Sequence, residues 1–341
     1  MLNTQDNSKN FPFYIYQTKL SDIFSTVLKA SDFKRKFFSF KINANRRASK
    51  QNESFFAIPL RGIGFSCAYE GSGYFGNTIY SCDQKIEVIF NSAEDIEIHC
   101  IKPSPIVESI WKKTAASILE TEPSAIKINT VFPSDEIPNM PEEISSNISV
   151  MTSLLKKCCI DIQKKRFHDP VPIKVKKQLT SAQKNKWNND SFKGEPFHTT
   201  SFASAVVEVE MDPYTYGEKI KGIWMAINCG TVFDKKAAER TTKLAILQEL
   251  TTLVENQTLQ CDKFHIDFIE SDKEPGQIGE LVHNTIPAAF SSALSLALLT
   301  QINTLPVSQS QLFELIKLRE FENTQEQKSR EDEKNENTPD A

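Results

Sequence analysis

The stretch Phe202-Ala203-Ser204-Ala205-Val206-Val207-Glu208-Val209-Glu210-Met211-Asp212 carries the clearest strand pattern in the chain. Val207, Val209 and Met211 alternate with Glu208, Glu210 and Asp212, so one face of a strand is apolar and the other acidic. Asp212-Pro213-Tyr214-Thr215-Tyr216-Gly217-Glu218 is a turn, and Ile220 to Ile227 reads as the returning strand. Lys235 to Val254 reads as a helix with Ile246, Leu250 and Leu253 on its core face. Phe264 to Ile269 is a strand, Glu270 to Asn284 a loop, and Ile286 to Gln301 an apolar helix.

The first half has the same order of elements. Ile86 to Phe90 and Ile96 to Cys100 flank the turn-forming run Asn91-Ser92-Ala93-Glu94-Asp95, which predicts a β-hairpin. A helix follows, with Val107, Trp111, Ala115 and Ile118 along one stripe. Ser124 to Val131 is a further strand, and Ile148, Met151, Leu155, Cys159 and Ile162 mark a second helix. Ahead of these, Leu20 to Leu28 reads as a short helix and the sequence turns strand-like from Phe55. Lys34-Arg35-Lys36 and Arg46-Arg47 read as a solvated basic face.

The expected fold class is α+β: two similar lobes, each with helices packed on a mixed or antiparallel sheet. The first lobe spans residues 1–167 and the second 198–318. Residues 168–197 open on Asp169-Pro170-Val171-Pro172 and continue as Lys, Gln, Asn and Ser, a linker or surface loop. Residues 319–341 carry too little apolar surface to offset their ordering entropy and are expected to be a disordered tail.

A chain of 341 residues has room for two packed units. With 39% hydrophobic and 25% charged residues it reads as a globular protein, and a net charge of -4 gives no footprint for nucleic acid or an anionic membrane. The N-terminus lacks an apolar secretory core. The longest apolar run, Ile286 to Leu299, is short for a bilayer span and reads as a buried helix. Cys67, Cys82, Cys100, Cys158, Cys159, Cys229 and Cys261 are irregularly spaced, which fits reduced thiols in a cytoplasmic protein, mostly packed in the core.

Few motifs carry chemistry. Gly71-Ser72-Gly73-Tyr74-Phe75-Gly76 matches the dinucleotide fingerprint, but a strand follows it instead of a helix, so phosphate donors would not converge. The five histidines lack ligand spacing for a protein-bound metal. The segment that stands out is Pro275-Gly276-Gln277-Ile278-Gly279-Glu280-Leu281. Its glycines let backbone approach a bulky ligand, and its carboxylate could act as a general base. By itself, an ordinary surface glutamate is the commoner case.

In order along the chain, Phe202 to Asp212, Gly217-Glu218, Asn228-Cys229-Gly230-Thr231, Gly276 to Glu280, Pro287-Ala288-Ala289-Phe290 and Leu305-Pro306-Val307 resemble the xanthine dehydrogenase/aldehyde oxidase family. The similarity is to the C-terminal half of that family's molybdopterin-binding region. Arg61-Gly62-Ile63-Gly64-Phe65 is similar to an earlier segment of the same region. The resemblance implies molybdopterin as cofactor, with Glu280 as catalytic base and Gly276, Gly279 and Gln248 lining it. The implied reaction is hydroxylation of a purine, N-heterocycle or aldehyde carbon by water. It also implies partners: a separate subunit carrying the first molybdenum-binding half, and further subunits holding FAD and 2Fe-2S centres.

The sequence departs from the family at three cofactor segments. A Gly-Gln-Gly turn is replaced by Lys102-Pro103-Ser104, and a small-residue segment by Pro141 to Ser146. A Gln-Ile-Glu-Gly-Gly run is replaced by Thr241-Thr242-Lys243-Leu244-Ala245. These changes leave a second reading open, a non-catalytic scaffold or assembly subunit.

Overall fold

The computed structural model describes residues 19–48, 59–74, 85–100, 102–130, 147–178, 187–188, 190–191, 193–194, 196–215, 217–232, 234–255, 260–315 and 317. The charged segment 319–341, residues 141–146, Cys82 and the Phe75-Gly76 end of the glycine-rich run lie outside them.

The chain begins with α1 (Leu20–Ala30) and α2 (Phe33–Ala48), followed by the long strand β1 (Leu60–Tyr74). Then come β2 (Lys85–Ser92), β3 (Asp95–Cys100), α3 (Pro105–Leu119), β4 (Ile126–Thr130), α4 (Asn147–Lys165) and β5 (Ile173–Gln178). A two-stranded ribbon, β6 (Trp187–Asn188) with β7 (Lys193–Gly194), leads to β8 (Phe197–Met211) and β9 (Glu218–Asn228). Then follow α5 (Lys235–Glu249), β10 (Phe264–Phe268) and α6 (Gly279–Leu298), with further helical residues at 309–315.

Two mixed four-stranded sheets result, ordered β4-β3-β2-β5 and β10-β9-β8-β1. They repeat one plan. A hairpin (β2–β3, β8–β9) is followed by a helix, a strand parallel to the hairpin's second strand (β4, β10), and a second helix. Each sheet is then closed by a strand antiparallel to the hairpin's first strand, β5 in one and β1 in the other. The fold is α+β, as the pattern of apolar periods implies.

Lobe membership differs from the sequence expectation at both closing strands. β1 pairs with β8 along its length, from Leu60 opposite Met211 to Tyr74 opposite Phe197, so the N-terminal elements build the second lobe. Ile173 to Gln178, expected within a linker, is β5, with Ile173 and Val175 buried. Only every second residue of β5 needs to be apolar, which is why the run looked like a polar loop.

In the first lobe, Ile86, Val88, Ile96, Ile98 and Cys100 face Trp111 and Leu119 of α3 and Leu155, Cys158 and Ile162 of α4. Trp111 Nε1 donates to Thr152 Oγ1 at 2.8 Å, which joins the two helices. Burial pushes the Cys158 and Cys159 thiols up to about 12, as expected for packing groups.

The second sheet is covered on both faces. Ala205, Val207, Val209 and Met211 pack against α5 and α6, whereas Phe202, Val206 and Trp224 pack against α1 and α2. Of the acidic positions of β8 and its end, Glu208 is therefore buried, Glu210 half-buried and Asp212 exposed. Glu208 is buried and accepts from Lys36 Nζ at 2.6 Å, and the same ammonium lies 4.6 Å from the Trp224 ring. The basic run of α2 is thus partly spent inside the protein and is not a uniformly solvated face.

α6 begins upstream of its expected start at Ile286, so Gly279 and Glu280 form its first turn rather than a loop. At 20 residues it is long and apolar enough to cross a membrane by length and composition. Its apolar residues, Leu281 and Val282 through Ile286, Phe290, Leu294 and Leu298, are buried in the core instead.

β1 allows α6 to come this close. A Cβ on Gly62 would lie 1.8 Å from Ala293 O, and one on Gly64 would lie 2.0 Å from Ala289 O. Both obstacles are backbone, which cannot rotate away. Gly62→Ala or Gly64→Ala is expected to force α6 off the sheet and lower stability by about 1–3 kcal/mol, the usual overpacking range. Denaturant unfolding of the full chain measures this, and wild-type midpoints for both variants would contradict the close approach.

Candidate functional site

The candidate site is built where β1, β8 and the end of β9 meet the first turn of α6. The segment Glu274 to Ile278 is anchored by its backbone: Gly276 N donates to Cys229 O at 2.8 Å, and Gln277 N donates to Ser72 Oγ at 3.3 Å. Gly276 owes its lack of side chain to this packing, since a Cβ would stand 2.3 Å from Ser201 Oγ. Gly279 differs. Nothing lies within 4 Å of a Cβ built there, so that side of the turn is open.

A helix leaves its first backbone N–H groups without partners inside the helix. The N-cap residue of α6, Ile278, has no side chain able to accept them. The acceptor comes from another element: Glu70 Oε2 of β1 takes the hydrogen bond of Glu280 N at 3.1 Å. The N–H of Leu281 also favours the Glu70 carboxylate. A carboxylate at a helix N-terminus is stabilised by the helix dipole. The Glu280 side chain itself is exposed.

Glu70 is only 8% exposed, and burial, the largest influence, raises its pKa from 4.5 to about 7. The two backbone N–H groups pull it down, and the Glu280 charge pushes it up. Between pH 4.5 and about 7 the folded chain therefore holds a proton that the unfolded chain has released. Stability contributed by neutral Glu70 is accordingly lost as pH rises through that window.

Neutral hydroxyls surround this carboxylate. Ser201 lies directly opposite Glu70, and Thr199 opposite Ser72, in the β1–β8 register. Ser72 and Ser201 are fully buried, and the Ser201 and Thr199 hydroxyls have no hydrogen-bond partner among the described residues. One turn along α6, His283 Nδ1 meets Glu249 Oε2 at the end of α5. Gln248 is exposed in that last turn of α5.

Glu280 and Gly279 thus sit together on one exposed turn, with Gly276 behind them against β8 and Gln248 on the neighbouring helix end. Sequence reasoning missed Glu70. The signal was available: Gly62, Gly64, Ser66 and Ala68 are the small, helix-facing positions of β1, and Glu70 is the next residue of that parity.

Two segments that depart from the resembled family are engaged locally. Ser104 accepts from Val107 N at 3.5 Å as the N-cap of α3, with Pro105 next and Lys102 exposed. On α5, the Thr242 hydroxyl donates to Ala238 O at 2.9 Å, and Lys243 Nζ lies 5.0 Å from the Phe264 ring. Leu244 of the same helix is 60% exposed. Among the described residues no three His, Cys, Asp or Glu side chains converge as a metal-binding group.

Residues 111–248 match the family described as molybdopterin cofactor-binding domain. No curated protein matches the chain by sequence. Several solved structures share its fold. The aldehyde oxidoreductase of Desulfovibrio gigas aligns with a TM-score of 0.65 at 18% identity, covering 88% of this chain and 36% of that one. Quinoline 2-oxidoreductase of Pseudomonas putida 86 aligns with a TM-score of 0.63 at 12% identity, covering 87% and 45%. CO dehydrogenase of Oligotropha carboxidovorans aligns with a TM-score of 0.65 at 12% identity, covering 92% and 48%. This chain therefore spans less than half of each of those three chains. The match thus covers residues 111–248, and beyond that segment what the chain shares with these oxidoreductase chains is its fold.

Proposed function

We propose that this chain is one half of the molybdopterin-binding part of a molybdenum hydroxylase and acts with a separate subunit that carries the first molybdenum-binding half. FAD and 2Fe-2S centres would sit on further partner subunits of a cytoplasmic complex. The substrate would be a purine, N-heterocycle or aldehyde whose carbon is hydroxylated with oxygen from water. The observation that supports this reading is the outward-facing Glu280 on a turn whose backbone is pinned by Glu70, beside the open side of Gly279.

The α6 end fits a bulky cofactor in two respects: Gly279 has clear space where a side chain would be, and buried hydroxyls at Thr199 and Ser201 are unused donors. Gly279 and the Gln248 amide would line the cofactor, and Gly276 would keep the loop close to β8. When bound, the cofactor supplies oxygen transfer and two-electron oxidation. This chain would supply a base: a Glu280 carboxylate oxygen takes the proton released as water's oxygen is delivered to the substrate carbon. Closure of the open face by a companion chain would exclude bulk water and sharpen that proton transfer.

A second reading, a scaffold or assembly subunit without catalysis, has its own support. The start of α3 is occupied by the Ser104 cap and Pro105, and α5 presents Lys243 and Leu244 where the resembled family has a glutamate and a glycine.

Co-expression with the neighbouring subunits separates the two. On the catalytic reading, molybdenum is near one per assembly and is lost when this chain is omitted. Glu280→Gln then lowers kcat/KM by about 10²-fold or more with the metal retained. Wild-type activity in the loaded variant removes the base, and full activity of a complex lacking this chain establishes the scaffold. Two glycine variants add a check. Gly276→Ala is expected to lower the melting temperature through its clash with Ser201. Gly279→Ala should melt like wild type yet bind less molybdenum. Unchanged metal content in Gly279→Ala would remove that glycine from the cofactor surface.

A further inference from the structure

We propose that Glu70 is a positioning residue for Glu280: from β1 its carboxylate caps the first turn of α6 and thereby sets how the Glu280 side chain is presented. The functional consequence rests on the reading of Glu280 as a base, whereas the structural link does not.

Three observations carry it. α6 has no local cap, because Ile278 offers no acceptor, so its first turn depends on an acceptor from elsewhere. Glu70 provides one, 3.1 Å from Glu280 N, on the very residue whose side chain faces outward. Glu70 is also buried on the strand face whose four preceding positions, Gly62, Gly64, Ser66 and Ala68, are all small. A buried carboxylate costs desolvation, so a packing role would be served better by another small residue.

Ionisation of Glu70 changes the strength of this cap. Hydrogen bonds from backbone N–H to an ionised carboxylate are roughly twice as strong as those to a neutral acceptor. The groups facing Glu70 are few. Glu280 on α6 adds negative charge, and Cys229 at the end of β9 has its thiol pushed up to about 11 by burial. Glu270, in the segment before α6, acts on Cys229. Ser72, Thr199 and Ser201 are neutral, and His283 further along α6 is engaged by Glu249. With its pKa at about 7, Glu70 changes charge close to neutrality. Above that pH the turn is held by a charge-assisted cap, and below it by a weaker one.

The test uses the full-length deuterated chain, with Glu280 and Leu281 backbone amides followed by NMR from pH 5 to pH 8.5. In wild type, protection of these amides against a local opening that leaves Glu70 buried and breaks only its two N–H bonds, corrected for intrinsic rates, should rise roughly fivefold with a midpoint near 7. In Glu70→Gln, which keeps an amide oxygen as acceptor but cannot ionise, the step should vanish. That variant should also melt above wild type at pH 8 and converge with it near pH 4.5, because it never carries the buried charge. Should Glu70→Gln not fold, the wild-type protection profile alone decides. A flat wild-type profile, or the same step in Glu70→Gln, overturns the proposal. In the assembled complex, a kcat/KM limb near pH 7 present in wild type and missing in Glu70→Gln ties the cap to catalysis. An amide step without that limb would keep the structural link and sink the base assignment it was meant to serve.

Discussion

Everything at the α6 end follows from a single contact, the packing of a helix backbone directly on the small-residue face of β1. Glycines at 62 and 64 remove the side chains that would hold the helix away, and Ser66 Oγ donates to Thr285 O at 2.7 Å further along. Two strand residues advance about 6.6 Å and four helix residues about 6 Å, so successive helix-facing positions of β1 meet successive turns of α6. Beyond Ser66 that step is no longer kept, and the longer Glu70 side chain reaches the first turn while Ser72 meets Gln277. The contact that stabilises the lobe is the same one that orients the turn.

That arrangement puts two carboxylates on one short stretch of structure in opposite environments. Glu70 is buried beneath the turn and shifted towards neutrality, whereas Glu280 is exposed above it. Burial and backbone donors act against each other on Glu70, and burial wins because the helix end supplies partial charges while desolvation removes a full hydration shell. The open side of Gly279 lies next to the exposed carboxylate, so whatever covers this face in an assembly would meet both.

The two lobes repeat a hairpin, helix, parallel strand, helix plan, and each borrows its closing strand from outside that unit. β5 follows its unit along the chain, while β1 precedes its partners by more than a hundred residues and brings α1 and α2 with it. The result is a sheet covered on both faces in the second lobe. Burial on both faces accounts for the pairing of Glu208 with Lys36, since an unpaired buried charge there would cost several kcal/mol.

Local periodicity in the sequence was enough to determine the α+β class, the repeated order of elements and the two apolar helix stripes, because amphipathic periods are set by burial of one face. Ordered motifs also drew attention to Gly276 through Glu280. Long-range pairing was not legible there. β1 belongs with β8, Ile173 to Gln178 is a strand because β2 lies beside it, and α6 begins at Gly279 instead of at Ile286 because a carboxylate more than two hundred residues earlier caps it. Gly276 and Gly279 look equivalent in sequence, yet one is filled by Ser201 and the other faces open space. Period and propensity act over neighbouring residues, whereas caps, closing strands and pKa shifts arise from groups that only the folded chain brings together; for that reason tertiary structure alone decided where Glu280 stands and what holds it.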